Sequence, residues 1–226
     1  MRREILEGIR YIVGDPRWRA ISLYVSTVNF FWSVAFSIML VYAVRELHLS
    51  AGTIGVIFAL GNIGALIGAM LSGRVSSRLG IGRTIVLTGA VSGSASLLVP
   101  LAPQSNPIPF LVASQVFVGA GIVVYNVTAI SLMQALTPPE LLGRMNASRR
   151  WIVWGTIPLG GLVGGALAST VGLRETLFVG TIGASLCFLF LLAKPLRTIQ
   201  QLPDPEEPPV EEELVELPLE AQRAEL

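Results

Sequence analysis

The chain has 226 residues, of which 52% are hydrophobic and 14% are charged, and its mean hydropathy is +0.67. This is more apolar than a water-soluble domain of this size needs for its core, so the composition favours a membrane protein over a soluble enzyme. The single cysteine, Cys187, excludes an intrachain disulfide and a cysteine-rich metal site. The net charge is only +1 because nine of the 15 acidic residues lie in the last 28 positions, whereas residues 1–198 carry a net charge of +9.

Residues 1–19 form a basic segment that precedes the first long apolar stretch. Its apolar residues recur at helical spacing beside several arginines; they are Ile5, Leu6, Ile9, Ile12 and Val13. Two interpretations stay open, a short amphipathic helix on the inner membrane surface or a simple linker. The segment lacks an apolar core with a small-residue cleavage site, so no cleavable signal peptide is expected.

Six apolar stretches follow, and each is long enough to cross the hydrocarbon core, which takes about 20 helical residues. They lie at residues 20–43, 52–73, 84–103, 108–133, 147–170 and 173–194. The sequence therefore predicts an all-α polytopic membrane protein with a six-helix transmembrane bundle at residues 20–198. A proline-rich turn is expected at Ala102–Pro109. Residues 199–226 are acidic and proline-rich, which predicts a disordered cytoplasmic tail.

Lysine and arginine positions predict the orientation of the bundle. The N-terminal segment, the 74–83 loop, the 140–150 loop and the 194–198 exit hold 13 Lys/Arg, whereas the three opposite connections hold two. Cytoplasmic loops carry the excess of basic residues in membrane proteins. We therefore expect a multi-pass protein of the cell membrane, plasma or inner, with both termini in the cytoplasm.

The second and fifth stretches match each other at an offset of 96 residues. Residues 64–72 (GALIGAMLS) align with residues 160–168 (GGLVGGALA), and residues 83–87 (RTIVL) align with residues 175–179 (ETLFV). The repeat unit is therefore three helices, and an odd number of spans inverts the second copy across the membrane, a 3+3 inverted repeat. Within the aligned segments, small residues recur every four positions and predict close helix packing. These packing residues are Gly64, Gly68, Gly160 and Gly164.

The spans hold no charged residue in their central parts, and no nucleophile–base pair or metal-ligand set is found. The sequence thus predicts neither an enzyme nor a cofactor, a metal site or a nucleic-acid partner. Neutral polar residues remain, most clearly a stripe in the first span formed by Ser22, Ser26, Asn29, Ser33 and Ser37. They either line an aqueous cavity for a solute or bond across packed helices, and both interpretations stay open. The candidate cavity residues are Ser26, Asn29, Trp32, Ser33, Asn62, Gln115, Tyr125 and Asn126.

Residues 73–83 (GRVSSRLGIGR) resemble G-x-x-x-D-R-x-G-R-R, the cytoplasmic signature of major facilitator superfamily transporters. Ser77 replaces the acidic residue of that signature, and one extra residue precedes Arg83. The resemblance implies a cytoplasmic gating loop; the other interpretation is that its arginines only set the topology. The residues concerned are Gly73, Arg74, Arg78, Gly80 and Arg83.

Residues 7–20 (EGIRYIVGDPRWRA) and 138–151 (PPELLGRMNASRRW) are similar to the drug and siderophore exporter branch of that superfamily, before its seventh and eleventh helices. The likeness spans residues 1–198 and corresponds to the C-terminal six helices of a twelve-helix transporter, half of the fold, with the N-terminal half missing. It implies that the first, second, fourth and fifth spans line a central cavity, whereas the third and sixth face lipid.

The resemblance implies transmembrane transport of a small amphipathic solute by the C-terminal half of an efflux-type secondary transporter that works by alternating access. Its expected partners are the lipid bilayer, the solute, and a second six-helix bundle, either the missing N-terminal half or another copy of the chain. Two alternatives stay open: an inactive six-helix protein from a truncated or split gene, and a half-transporter that acts as a homodimer.

Overall fold

The computed structural model describes residue 14, residues 16–136 and residues 139–192, with the side chains of residues 136, 139–142 and 144–153 left aside. This part contains helices and no strand, which confirms the all-α prediction. The predictions for residues 1–13 and for the 199–226 tail lie outside the described residues. The helices are α1 (Pro16–Arg45), α2 (Ala51–Leu79), α3 (Ile81–Ser96), α4 (Leu98–Leu101), α5 (Ile108–Leu136), α6 (Pro139–Thr170) and α7 (Leu173–Leu186), and a 3-10 helix (Cys187–Leu192) continues α7.

Several helical segments have the length and hydropathy of membrane spans. Within the described residues there are five of them: Pro16–Arg45, Ala51–Leu79, Ile81–Leu101, Ile108–Ala135 and Leu173–Leu192. Helix α6 is not among these five, and its side chains are described continuously only over residues 154–170. The multi-pass membrane prediction is confirmed, whereas the span at 147–170 stays a prediction.

Two connections between helices are shorter than predicted from the sequence. Residues 74–79 and 139–150, which were expected in loops, are helical, because α2 continues to Leu79 and α6 begins at Pro139. Hydroxyl groups near the end of α2 bond within their own helix: Ser76 and Ser77 each donate to a carbonyl three residues earlier, at 3.1 Å. The predicted gating loop is thus mostly the last turns of a helix.

Single glycines make the tight turns that follow. Gly80 joins α2 to α3 with φ 80°, and Gly172 precedes α7 with φ 105°. Positive φ is readily adopted only by glycine, because a Cβ atom would clash with the backbone. In both turns a threonine four residues later donates to the glycine carbonyl, Thr84 at 2.8 Å and Thr176 at 2.7 Å. Both threonine side chains are fully buried, so these bonds satisfy hydroxyls that have no access to solvent.

Glycines bring two helix pairs into backbone contact. α2 packs on α5: a Cβ atom added to Gly64 would lie 2.6 Å from the Cα atom of Val116, and one added to Gly68 would lie 2.8 Å from that of Ala120. α6 packs on α1 in the same way. A Cβ atom added to Gly164 would lie 3.1 Å from the Cα atom of Val34, and one on Gly160 would meet the carbonyl of Phe30. The four glycines predicted to pack helices lie at these contacts.

The centre of the bundle is formed by α3 and α7. They touch each other at Gly93, where an added Cβ atom would lie 2.7 Å from the Cα atom of Ser185. α5 packs on α3, and α1 packs on α7, so α1 and α5 flank this central pair. The helices α2 and α6 lie beyond them, against α5 and α1 respectively.

Two apolar clusters fill the interior at different levels along the helices. The Tyr24 cluster includes Trp18, Ile85, Leu132 and Leu191, and the Tyr42 cluster includes Ile38, Leu111 and Leu177. The outside is apolar as well, since Leu66, Met70 and Leu162 are each more than 60% exposed. An apolar exterior around an apolar interior is what a lipid environment favours.

The glycine contacts predict a selective loss of stability. Gly64→Ala pushes α2 away from α5, and Gly160→Ala pushes α6 away from α1. Overpacking of this kind lowers the free energy of unfolding by about 1–3 kcal/mol. Because Cys187 is the single cysteine and is buried, its reaction with a fluorogenic maleimide during heating measures unfolding of the detergent-solubilised chain. We expect lower midpoints for both variants.

Gly165→Ala is the matched control, because a Cβ atom there meets nothing within 4 Å. Its midpoint should equal or exceed that of the wild type, since alanine favours the helix over glycine. A drop in all three variants alike would contradict the role of the close contacts.

Candidate functional site

A cavity of about 220 Å³ lies at mid-length of the bundle between α1 and α5. Along each helix it falls between the Tyr24 cluster and the Tyr42 cluster. α3 and α7 form its floor with Ser92, Gly93, Ser96 and Ala184. Its walls are Tyr24, Val25, Val28, Asn29 and Trp32 from α1, and Val118, Ile122, Tyr125 and Asn126 from α5.

Two amide side chains give this cavity its hydrogen-bonding capacity. Asn29 and Asn126 both line it, and neither forms a hydrogen bond with the described residues. Each amide carries two donors and an acceptor that are open to a bound molecule. By contrast, the Ser92 hydroxyl on the floor already donates to the carbonyl of Thr88, at 2.7 Å. The cavity therefore offers donors from its walls and mainly acceptors from its floor.

Aromatic rings mark two sides of the cavity. Tyr24 and Tyr125 lie with their ring centroids 5.1 Å apart and an interplanar angle of 52°, which joins α1 to α5 beside the Tyr24 cluster. Trp32 stacks on Phe36, with centroids 4.7 Å apart and planes 13° from parallel. Trp32 is 38% exposed, so part of its indole is accessible to a planar apolar molecule.

Four of the candidate cavity residues line this cavity: Asn29, Trp32, Tyr125 and Asn126. Gln115 lines a smaller neighbouring cavity of about 30 Å³ instead. Its Cβ atom lies against Gly61 of α2. The candidates from α1 and α5 thus fall largely at one place, at the level where the two helices face each other.

The other three candidates lie elsewhere. The Ser33 hydroxyl donates to the carbonyl of Ile157 on α6, at 2.7 Å, and so bonds two packed helices. The exposed Asn62 donates to the carbonyl of Phe58 on its own helix, at 3.2 Å. The Ser26 hydroxyl is buried, has no hydrogen-bond partner among the described residues and does not line the cavity. The polar stripe of α1 therefore divides, with Asn29 towards the cavity and Ser33 towards α6.

The floor residues were missed in the sequence analysis. The third and sixth spans were expected to face lipid, yet α3 and α7 each present one side to the cavity. Their other sides carry exposed apolar residues such as Leu87 and Ile182. Thr88, Ser92 and Ser96 follow one another at intervals of four residues. This polar stripe is the feature of the sequence that could have predicted a cavity-facing side of α3.

The residues of the predicted gating loop lie at the opposite end of α2 from Ala51. Gly73, Arg74 and Arg78 are on its last turns, Gly80 is the link, and Arg83 lies in the first turn of α3. All three arginine side chains are exposed, and the described residues supply no carboxylate partner for them. No group of three or more potential metal ligands occurs in the described part of the chain.

Helices of membrane length around a central, mainly apolar cavity with a few polar groups define a polytopic α-helical membrane protein. A family model with the description Major Facilitator Superfamily matches residues 21–223, and the chain belongs to this family. Membership confirms the resemblance to the superfamily and assigns the chain to secondary transporters, a class without enzymatic chemistry, whereas the exporter branch and the half-transporter stay predictions. Comparisons with curated proteins and with solved structures gave no match.

Cysteine accessibility tests the cavity directly. In a Cys187→Ser background, Asn29→Cys and Asn126→Cys should react with a water-soluble maleimide in the folded protein, because both positions line the cavity. Thr128→Cys should stay unreactive, since Thr128 is only 4% exposed and lies on the same helix as Asn126. Equal labelling of all three sites would contradict the cavity.

Proposed function

We propose that this chain forms one six-helix half of an efflux-type secondary transporter, and that it binds a small amphipathic solute in the cavity between α1 and α5. The observation that carries the proposal is the chemistry of this cavity. The amides of Asn29 and Asn126, which form no hydrogen bond with the described residues, line the same cavity as the partly exposed indole of Trp32. Polar groups that fix orientation beside an aromatic surface are typical of sites for small organic molecules.

The proposed 3+3 inverted repeat is supported by equivalent contacts in the two units. α2 touches α5 where Gly64 meets Val116, and α6 touches α1 where Gly160 meets Phe30. Gly68 with Ala120 and Gly164 with Val34 repeat the correspondence one helical turn later. At both levels the glycines of the two units are 96 positions apart and their partners are 86 positions apart, which is expected when the two three-helix units pack in the same way.

The central helices follow the same correspondence. The turn glycines Gly80 and Gly172 are 92 positions apart, and so are Thr84 and Thr176, which bond to them. At the same spacing, Gly93 corresponds to Ser185, the residue that it touches. A contact between equivalent positions is expected on a two-fold axis that relates two halves of a bundle.

The remaining features of the proposal concern topology. We propose that α6 supplies a sixth span at residues 147–170 and that both termini are cytoplasmic. The exposed arginines at the α2–α3 turn support this orientation, because basic residues are retained on the cytoplasmic side. The opposite end carries Arg174, whose Nε atom donates to the carbonyl of Pro100 at 2.9 Å and so bonds α7 to α4.

Transport in this proposal occurs by alternating access. The bundle rocks against a second six-helix bundle, a missing N-terminal half or another copy of this chain, and opens the cavity to each side in turn. The partial exposure of Trp32 and Ile122 supports a partner on that side of the cavity. Export as the direction is supported by the sequence likeness of residues 7–20 and 138–151 to exporters. Arg74, Arg78 and Arg83 would act in the inner gate.

Binding of a fluorescent amphiphile tests the proposed site. Naphthylethanol should bind the full chain in lipid nanodiscs, measured by energy transfer from tryptophan after subtraction of empty discs. Trp32→Ala and Asn126→Leu should each weaken binding about tenfold, equivalent to ~1.4 kcal/mol of lost contact free energy. Because Trp32→Ala removes one energy donor, its affinity is measured by equilibrium dialysis.

Phe117→Ala is the matched control, since this aromatic residue of α5 is 54% exposed and lies outside the cavity lining. Equal loss in the control would contradict the site. The same probe in liposomes tests which bundle is the partner: with an N-terminal half as partner, the chain alone should give no flux above protein-free vesicles, whereas clear flux would overturn that assignment and leave another copy of the chain as the partner.

The orientation is tested with single cysteines in intact cells, again in the Cys187→Ser background. Gln104→Cys, in the exposed turn between α4 and α5, should react with a membrane-impermeant maleimide added outside. Ser77→Cys, at the other end of the bundle, should react only after permeabilisation. The reverse pattern would show that the termini lie outside.

A further inference from the structure

The small cavity of about 30 Å³ adjoins the main cavity. The two share Trp32, Ser96, Val118 and Ala184, and the small one extends from there towards the Tyr42 cluster, with which it shares Ala35, Val99 and Leu177. Its volume exceeds the ~10–15 Å³ that one water-sized group needs. We call it the serine compartment after Ser96 and Ser114, which line it.

Ser114 is the unusual residue of this compartment. Its side chain is 1% exposed, and its hydroxyl has no hydrogen-bond partner among the described residues. An unpaired hydroxyl in an apolar interior costs about 1–3 kcal/mol. A bound group that pairs with Ser114 recovers this free energy, and the residue lines a space large enough to hold such a group.

The other hydroxyls of the compartment are already used as donors. Ser96 donates to the carbonyl of Gly93 at 2.6 Å, and Thr181 donates to the carbonyl of Leu177 at 2.7 Å. Because each hydroxyl has one proton and two lone pairs, their oxygens are left as acceptors. The compartment is therefore complementary to a compact group that donates a hydrogen bond to these oxygens and accepts one from Ser114 or from the amide of Gln115, which also lines it.

The charge of this group follows from the lining. Neither cavity is lined by an aspartate, glutamate, lysine, arginine or histidine of the described chain. Burial of an ammonium or carboxylate group without a countercharge is strongly unfavourable, whereas a hydroxyl group loses little once it is paired. An uncharged hydroxyl group fits the size, the hydrogen-bonding pattern and the neutrality of the site.

We propose that the serine compartment is the subsite for the hydroxyl group of an uncharged amphipathic alcohol, whose apolar body lies in the main cavity against Trp32. This inference rests on the proposed function, since it assigns a substrate class to the same cavity. Ser96, Ser114 and Thr181 then determine specificity for the head group, and Trp32 contributes affinity for the body.

Three probes with the same body test the proposal: naphthylethanol, its methyl ether, and naphthylethylamine, which is an ammonium ion at neutral pH. Their affinities for the full chain in nanodiscs are measured by energy transfer from tryptophan. We expect the alcohol to bind at least about tenfold more tightly than the ether, which cannot donate, and more tightly than the amine.

Ser114→Ala should weaken the binding of alcohol and ether alike, because the oxygen of either probe accepts a hydrogen bond from Ser114. Its thermal midpoint, measured through Cys187, should not fall, because the lost hydroxyl has no partner among the described residues. Thr181→Val, which keeps the shape of the side chain, should reduce the preference for alcohol over ether, because it removes an oxygen that accepts from the alcohol. Ser72→Ala is the matched control, because Ser72 is buried on α2, bonds to Ala69 and lies outside both cavities.

The possible failures separate the two proposals. Equal binding of alcohol and ether by the wild type, or alcohol binding by Ser114→Ala that is as tight as in the wild type, overturns the hydroxyl subsite and leaves the cavity standing. Tighter binding of the amine overturns the claim that the group is uncharged. If none of the three probes binds the wild type, both the subsite and the proposed function fail.

Discussion

The bundle depends on the close approach of helix backbones at glycines. In lipid the hydrophobic effect does not drive helices together, so association relies on packing and on hydrogen bonds. Gly64 lets α2 reach the backbone of α5 at Val116, and Gly160 lets α6 reach α1 at Phe30. Each flanking helix is thereby held on its outer side. α1 and α5 therefore do not need to contact each other on their inner sides, and the cavity lies between them.

The position of the polar groups in the cavity follows from where the apolar residues are concentrated. The Tyr24 cluster and the Tyr42 cluster fill the interior on either side of it, so the polar groups lie at mid-length, away from both ends of the bundle. Hydrogen bonds there have little competition from water and depend strongly on complete pairing. Asn29 and Asn126 leave this pairing to a ligand, which is why the cavity is suited to recognition.

The sequence predicted the membrane class, most helices and part of the cavity. Those predictions rest on long apolar stretches and on single amides such as Asn29, which are unusual inside a span and visible without a structure. The role of Ser33 was not predictable, because a serine in a span either bonds to a neighbouring helix or lines a cavity. Its partner, the carbonyl of Ile157, lies 124 positions away and depends on how α1 meets α6.

The floor of the cavity was missed for a related reason. The resemblance assigned whole helices to lipid or to the cavity, but a helix has several faces, and α3 presents Ser92 to the cavity and Leu87 to the outside. The length of the gating segment was also misjudged. A run of arginines, serines and glycines suggested a loop, yet the hydroxyls of Ser76 and Ser77 bond to their own helix, and Gly80 alone makes the turn.

The position of the floor has a mechanical consequence within the proposed repeat. Gly93 and Ser185 are equivalent residues in contact, so the axis that relates the two three-helix units passes beside the floor of the cavity. A solute there touches α1 and α3 of one unit and α5 of the other. Because Ser96 and Ser114 come from different units, a hydroxyl group held between them bonds one unit to the other. In the proposed mechanism, such binding would stiffen the bundle as a whole, as a half-transporter that moves as a rigid body requires.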